Sequence, residues 1–278
     1  MNFFFSFVIP VYNSSKTIED SIKSISNSTT SKNEIIIIDD KSKDKSIKKI
    51  QDIEKKISNS LVLKQNKFNL GPGFSRNKGI NTAKGKYIIF LDSDDLIIKS
   101  SIKKIQKIIE KNKFPDVILG MFRKENYPFS NKVFFKQRFK TKFIDKKNFL
   151  NFLNYKNLIL DECWPFIIKR EYLLKKKILF PELRINEDQI FSNHLIFSST
   201  KILLLKEFFY FHRNIKKSLS KNFGETRCVN YFSSIFFMLG VLKKKDFFNN
   251  RYLINVLDEI VKNFTYSYII SKKVNFKD

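Results

Sequence analysis

Two cysteines, Cys163 and Cys228, are all that the 278 residues contain, which excludes a disulfide-stapled secreted scaffold and fits a reducing compartment. The two histidines show no metal-ligand spacing and give no support for a zinc centre. Glycine (7) and proline (6) are scarce, and neither an internal repeat nor a low-complexity linker is present. No apolar run reaches the ~18 residues of a spanning helix. Met1 to Phe7 is apolar but lacks a basic flank and a small-residue cleavage site, so a signal peptide is not expected either.

Positive charge and aromatic residues are abundant instead. Lys+Arg 53 against Asp+Glu 27 leaves a net charge of +26, and there are 31 phenylalanines within a hydrophobic content of 42%, too much for a disordered chain. Such a charge fits a polynucleotide groove or a face resting on anionic lipid. It also fits a coding bias, because Lys, Ile, Asn and Phe can all be encoded by codons rich in A and T. Arginine, the residue preferred for bidentate reading of phosphates and bases, occurs only eight times, which favours the bias and argues against nucleic acid as a partner.

Strands and helices alternate through the first half. Apolar runs at Phe3 to Val11, Glu34 to Ile38, Leu61 to Leu63, Tyr87 to Leu91 and Asp116 to Met121 predict strands buried in a parallel sheet. Helical spacing separates them: Ile18, Ile22 and Ile25; Ile47, Ile50, Ile53 and Ile57; Arg76 to Ile80; Ile102, Ile105 and Ile109. This alternation predicts an open α/β sheet with helices on both faces. After residue 122 the pattern fades, with a helix expected near Asp188, a strand pair over Ile202 to His212, and apolar helices from Glu225 to Lys273. The expected division is 1–122, 123–222 and a C-terminal helical extension, 223–278.

Acidic residues, the minority charge, gather at three places: Asp39-Asp40 and Asp92-Ser93-Asp94-Asp95 at strand ends, and Glu187-Asp188 before a helix. Open α/β sheets bind ligands outside the carboxyl ends of their strands. Carboxylates crowded there repel unless a hard cation neutralises them, and Mg²⁺ or Mn²⁺ completes its shell with substrate phosphates. An Asp after a strand is also ordinary turn chemistry, so either cluster alone decides little.

Four blocks occur in order: Phe7-Val8-Ile9-Pro10-Val11-Tyr12-Asn13, Ile36-Ile37-Ile38-Asp39-Asp40-Lys41-Ser42, Asn69-Leu70-Gly71-Pro72-Gly73-Phe74-Ser75-Arg76-Asn77-Lys78-Gly79, and Gly85 through Asp95. Together they resemble a family 2 glycosyltransferase with the GT-A fold. Asn186-Glu187-Asp188-Gln189 and Tyr210-Phe211-His212-Arg213, followed by Ser218, extend the resemblance more loosely. Lys41 departs from it, standing where the family commonly has Gly.

The resemblance implies a Rossmann-like, mostly parallel GT-A sheet whose first half binds a nucleotide-diphosphate sugar and whose second half binds the acceptor. By similarity, Pro10, Val11 and Tyr12 wall the base, Asp40, with Asp39 behind it, hydrogen-bonds the base or ribose, and Arg76 faces base and phosphate. Asp92 and Asp94, with Ser93 between them, resemble the Asp-x-Asp motif that holds Mn²⁺ or Mg²⁺. Asp188 is the candidate general base of an inverting transfer, or a helix cap. Glu187, His212 and Arg213 are candidates for acceptor or phosphate contacts. Trp164 is either a stacking platform for the acceptor or a core residue. The implied donor is a UDP-sugar, and the acceptor a glycan or lipid-linked glycan of the bacterial surface. The expected location is cytoplasmic, with possible peripheral contact to an anionic membrane through Tyr231 to Leu242 and its basic flank. A nucleotidyltransferase-like enzyme or a non-enzymatic basic binding module are the alternatives.

Overall fold

The computed structural model describes residues 3–28, 33–125, 140–156, 158–214, 234–236 and 251–274, with side chains in the last helix described to residue 265. Strands β1 (Phe5–Val11), β2 (Glu34–Asp39), β3 (Ser60–Gln65) and β4 (Tyr87–Phe90) alternate with helices α1 (Ile18–Ser26), α2 (Ser46–Glu54) and α3 (Pro72–Thr82). Then follow β5 (Leu96–Ile97), α4 (Ser101–Lys111), β6 (Val117–Lys124), β7 (Lys142–Asp145), α5 (Lys146–Lys156), β8 (Phe166–Lys169) and α6 (Arg170–Lys176). Helix α7 (Glu187–Ser198), β9 (Lys201–His212) and α8 (Arg251–Val274) complete the described elements.

All nine strands join one sheet, in the order β3-β2-β1-β4-β8-β6-β9-β5, with β7 also paired to β9. The β3-β2-β1-β4 block is parallel throughout, as the strand-helix alternation predicts. Beyond it the sheet is mixed: β8 runs antiparallel to both β4 and β6. The weak periodicity after residue 122 concealed that insertion, which places residues from both sides of 122 in one sheet. A strand pair over Ile202 to His212 is also corrected. Lys206-Glu207 makes no turn; β9 is a single strand whose pairing with β6 shifts register around Met121.

Period-2 alternation sorts β1 between two cores. Phe5, Phe7, Ile9 and Val11 face α1, α2 and α4, where Ile18, Ile22, Ile50, Ile102 and Ile105 are buried. Val8, with Ile36, Ile38 and Phe90, faces the side covered by α3, α5, α7 and α8. Tyr252, Leu253, Val256 and Ile260 of α8 are buried in this second core, so the described part of the C-terminal extension packs on the body. The segment Tyr231 to Leu242, Ser218 and Cys228 lie outside the described residues, apart from 234–236. No helix among the described residues is long and apolar enough to cross a membrane.

Two sharp turns prepare the sheet edge. Lys41 takes φ +66°, the left-handed conformation that glycine adopts freely, so the turn survives the departure at a cost of ~1 kcal/mol. Gly71 (φ +92°) precedes Pro72, which starts α3. Further along α3, Gly79 lets the helix backbone lie against Val8, where a Cβ would collide with the valine Cγ1. Gly79→Ala is therefore expected to cost about 1–3 kcal/mol in urea unfolding, and adding Val8→Ala should recover part of that loss. Additive losses in the double variant would contradict the contact.

Candidate active site

The carboxyl ends of β1, β2 and β4 form one edge, and the loops there are tied to each other. Asn13 donates its backbone N–H to Ser42 Oγ (3.0 Å), and its Oδ1 accepts the Lys43 N–H (2.8 Å). Ser15 N–H reaches Asp44 Oδ2 (2.9 Å), while Asp44 Oδ1 accepts the Ser46 N–H (2.9 Å). These donors hold the Asp44 carboxyl down at about 2 despite partial burial. The Ser14 and Ser93 hydroxyls are 2.6 Å apart, joining the loop after β1 to the acidic turn after β4.

Asp39 and Asp40 sit side by side but do different things. Asp40 is committed to the protein: its Oδ1 accepts from Asn66 Nδ2 (2.8 Å) and Leu70 N–H (2.9 Å), and its Oδ2 from Gly71 N–H (2.8 Å). A ribose or base would have to compete with that loop, so the expected ligand contact at Asp40 is replaced by a structural one. Asp39 keeps one oxygen for the Ser42 N–H (3.2 Å), and its Oδ1 is buried without a partner. Orphaned buried acceptors are rare and call for a ligand or water.

Arg76 is the junction of the site. It projects from α3, whose first turn packs so closely on the approach to α7 that a Cβ at Gly73 would meet Glu187 Cγ and Pro181 O at 3.0 Å. Asn77 fixes the alignment by exchanging bonds with the Phe180 backbone (2.8 and 2.9 Å). The Arg76 guanidinium then lies 5.3 Å from the Phe180 ring centre and donates to Asp92 Oδ1 and Glu187 Oε1, both at 2.8 Å. It is thus a buried bridge between two acidic blocks rather than a surface ion pair. Its Nε is buried without a partner, as is Asn186 Nδ2.

The second block begins helix α7. Asn186, at φ +65°, occupies the N-cap position and makes no side-chain capping bond. Asp188 lies in the first turn, where its Oδ1 accepts only the neighbouring Gln189 N–H (2.9 Å). Burial and the Glu187 charge push the Asp188 carboxyl well above the usual carboxylate range, against the pull of Arg76. Such a carboxylate is prepared to accept a proton.

In the acidic turn, burial with Asp92 and Asp95 alongside raises Asp94 to about 6. Carboxylates crowded in this way repel one another unless a cation lies between them. Among the described residues no group of three or more His, Cys, Asp or Glu could hold a metal ion by itself. The donor set instead fits Mn²⁺ or Mg²⁺ held by one or two carboxylates and completed by phosphate oxygens.

Other expected site residues are placed differently. Val11 is buried among the phenylalanines of β1 and Pro10 is buried too, so of these three only Tyr12, 37% exposed, has an open side chain. Trp164 is 3% exposed and stacked on Tyr210 (ring centres 4.4 Å, 14°), so it has no open face for an acceptor. The Arg213 guanidinium binds the Asp94 carbonyl, Asp20 Oδ2 (3.2 Å) and the Thr17 carbonyl (3.5 Å), leaving it a clamp on the acidic turn. His212 is held by Asp95, 3.1 Å from its Nδ1, which raises the imidazole above its ordinary range. Sequence reasoning missed roles for Asp95, Tyr210 and Glu162. Glu162, beside Asp161 and 3.1 Å from Lys124 Nζ, is raised to about 8 by burial and Asp161. A cavity of about 310 Å³ lined in part by Asp116, Lys169, Lys175 and Lys201 lies at the opposite sheet edge, away from these carboxylates.

The profile described as Glycosyl transferase family 2 matches residues 6–176, which includes the acidic turn, Arg76 and both Asp39 and Asp40. The chain belongs to that family. A poly(ribitol-phosphate) beta-glucosyltransferase of Bacillus spizizenii is 32% identical over 231 residues, 81% of this chain and 34% of the relative. This family 2 chain therefore spans about a third of that relative's length. Its fold matches the structure of Staphylococcus aureus TarS 1-349 in complex with UDP-GlcNAc, with a TM-score of 0.74 at 22% identity, over 98% of this chain and 75% of that one. A mannosyltransferase of Pyrobaculum calidifontis in complex with GDP-Man and Mn²⁺ matches with a TM-score of 0.64 at 13% identity, over 96% and 74% of the two chains. The fold is GT-A, an open mixed α/β sheet.

Replacing the two adjacent aspartates separates their roles. Asp40→Asn should lower unfolding free energy by about 2 kcal/mol, because one oxygen becomes a donor facing N–H groups. Asp39→Asn should stay within ~0.5 kcal/mol of the parent or exceed it, since a buried charge with an orphaned oxygen is removed. Equal losses in urea titrations would contradict this division.

Proposed function

We propose that this family 2 chain transfers a sugar, with inversion, from a UDP-sugar to a hydroxyl of a glycan acceptor of the bacterial surface. The observation that carries the reading is the Arg76 bridge, which brings the turn of Asp92 and Asp94 to the helix that begins with Glu187 and Asp188. One acidic block thereby serves a diphosphate and the other an attacking hydroxyl, within a single edge.

On this reading the orphaned Asp39 Oδ1 accepts an N–H or O–H of the nucleoside, beside the open ring of Tyr12. Asp94, with Asp92, would hold Mn²⁺ or Mg²⁺, which when bound offsets the charge of the departing diphosphate. Asp188 takes the proton of the acceptor hydroxyl as that oxygen attacks the anomeric carbon from the face opposite the leaving group. Arg76 holds Glu187 in place through its Oε1, so that Asp188 is the carboxylate left to accept the proton. The residues 123–222 contribute this acceptor side. A net charge of +26 suits a phosphate-bearing acceptor or one presented at an anionic membrane surface, in keeping with the polymer named for the Bacillus relative.

Asp188→Asn tests the assignment. Asparagine can still accept the Gln189 N–H, so the helix start should survive and the melting temperature should stay close to the parent. UDP-sugar affinity should be retained, while the single-turnover rate falls by ~10²-fold or more. A rate within a few-fold of the parent would move the base elsewhere and contradict the reading.

A further inference from the structure

The turn that presents Asp92 and Asp94 is closed from outside by the end of β9. Asp95, the last residue of the acidic quartet, is fully buried. Its Oδ2 accepts the Tyr210 hydroxyl at 2.6 Å and lies 3.1 Å from His212 Nδ1, and its Oδ1 accepts the Arg213 N–H at 2.8 Å. The Tyr210 hydroxyl, having donated its proton to Asp95, accepts the backbone N–H of Asp92 at 3.2 Å. One phenol oxygen therefore joins the first and last residues of the turn, inside the 3.0 Å bond from Asp95 N–H to the Asp92 carbonyl.

The hydroxyl has no other task. The Tyr210 ring is buried by stacking on Trp164 and by an edge contact with Phe209, neither of which needs an oxygen. A phenylalanine would fill the same space. Holding a carboxylate fully out of water is costly unless every lone pair is met, and an apolar pair in these positions would be at least as stable. The expense falls on the few atoms that set where the Asp92 and Asp94 carboxylates point, because β5, which continues the chain, is only two residues long. It pairs with β9 through Ile97 and Tyr210, so the same residue that ends the turn also anchors the strand after it. Misplacement of a reacting group by ~1 Å costs on the order of 10²-fold in rate.

We propose that Tyr210 is a positioning residue for sugar transfer, its hydroxyl locking the Asp92–Asp95 turn so that the Asp92 and Asp94 carboxylates converge on the donor diphosphate and its cation. This rests on the donor site described under Proposed function.

Tyr210→Phe removes the oxygen and keeps the ring. In the metal-free protein, amide hydrogen exchange at Asp92 should accelerate by ~10-fold or more, since its N–H loses its acceptor. UDP affinity measured by calorimetry in Mn²⁺ should fall by ~10-fold, and UDP affinity in EDTA should change little. A small drop in melting temperature with unchanged UDP affinity in Mn²⁺ would make the residue merely structural and overturn the proposal. Asp95→Asn, which retains an acceptor for the Arg213 N–H, should reproduce the Mn²⁺-specific loss, and does so independently if Tyr210→Phe folds poorly. Parental affinity for UDP in Mn²⁺ in either folded variant overturns the proposal alone. A parent chain that binds no UDP in Mn²⁺ overturns the donor-site reading itself, and the proposal with it.

Discussion

One guanidinium joins the two ends of this active edge. Arg76 donates to Asp92 and to Glu187, residues 16 and 111 positions further along the chain; Arg76 and Glu187 are buried and Asp92 is partly so. Breaking such a pair by removing one partner typically costs about 3–5 kcal/mol, because it strands a buried charge. The same burial makes the bridge directional: α3 can approach α7 only with Gly73 against Glu187, Asn77 paired to the Phe180 backbone, and Phe180 stacked on Phe191 at 3.9 Å. The site is thus assembled by packing first and by charge second.

That constraint also explains how carboxylates can be concentrated in so basic a chain. Burial among neighbouring carboxylates raises Asp94 to about 6 even though the molecule as a whole carries +26. The lysines lie elsewhere, over the exposed faces of α2, α4 and α6 among others. Excess charge on the surface and carboxylates crowded at the strand ends are separate features. The first is consistent with coding bias and with anionic surroundings, the second with a divalent cation and a diphosphate.

Much of this was legible in the residues. The parallel block follows from apolar runs such as Ile35 to Ile38, and the strand-end acids stand out because charge is rare inside such runs. What periodicity could not supply is contact across long separations. Asp39 and Asp40 are indistinguishable as letters, yet the Asn66–Gly71 loop occupies one and leaves the other with an orphaned oxygen. Trp164 could equally be platform or core until Tyr210 is seen stacked on it. Arg213 carries the charge of a phosphate ligand but is drawn to the Asp94 carbonyl. Asp95 and Tyr210 were visible within motifs, and their pairing over 115 residues was not. The insertion of β8 between β4 and β6 escaped for a related reason: a four-residue buried strand has no period long enough to read.

The most direct test is a thermal-shift panel of nucleotide-diphosphate sugars, with Mn²⁺ and with EDTA, alongside a polynucleotide. A ligand that binds only the folded chain raises its melting temperature by mass action. A UDP-sugar that stabilises the protein in Mn²⁺, and much less in EDTA, is the predicted result. Stabilisation by the polynucleotide with no response to any nucleotide sugar would contradict the account.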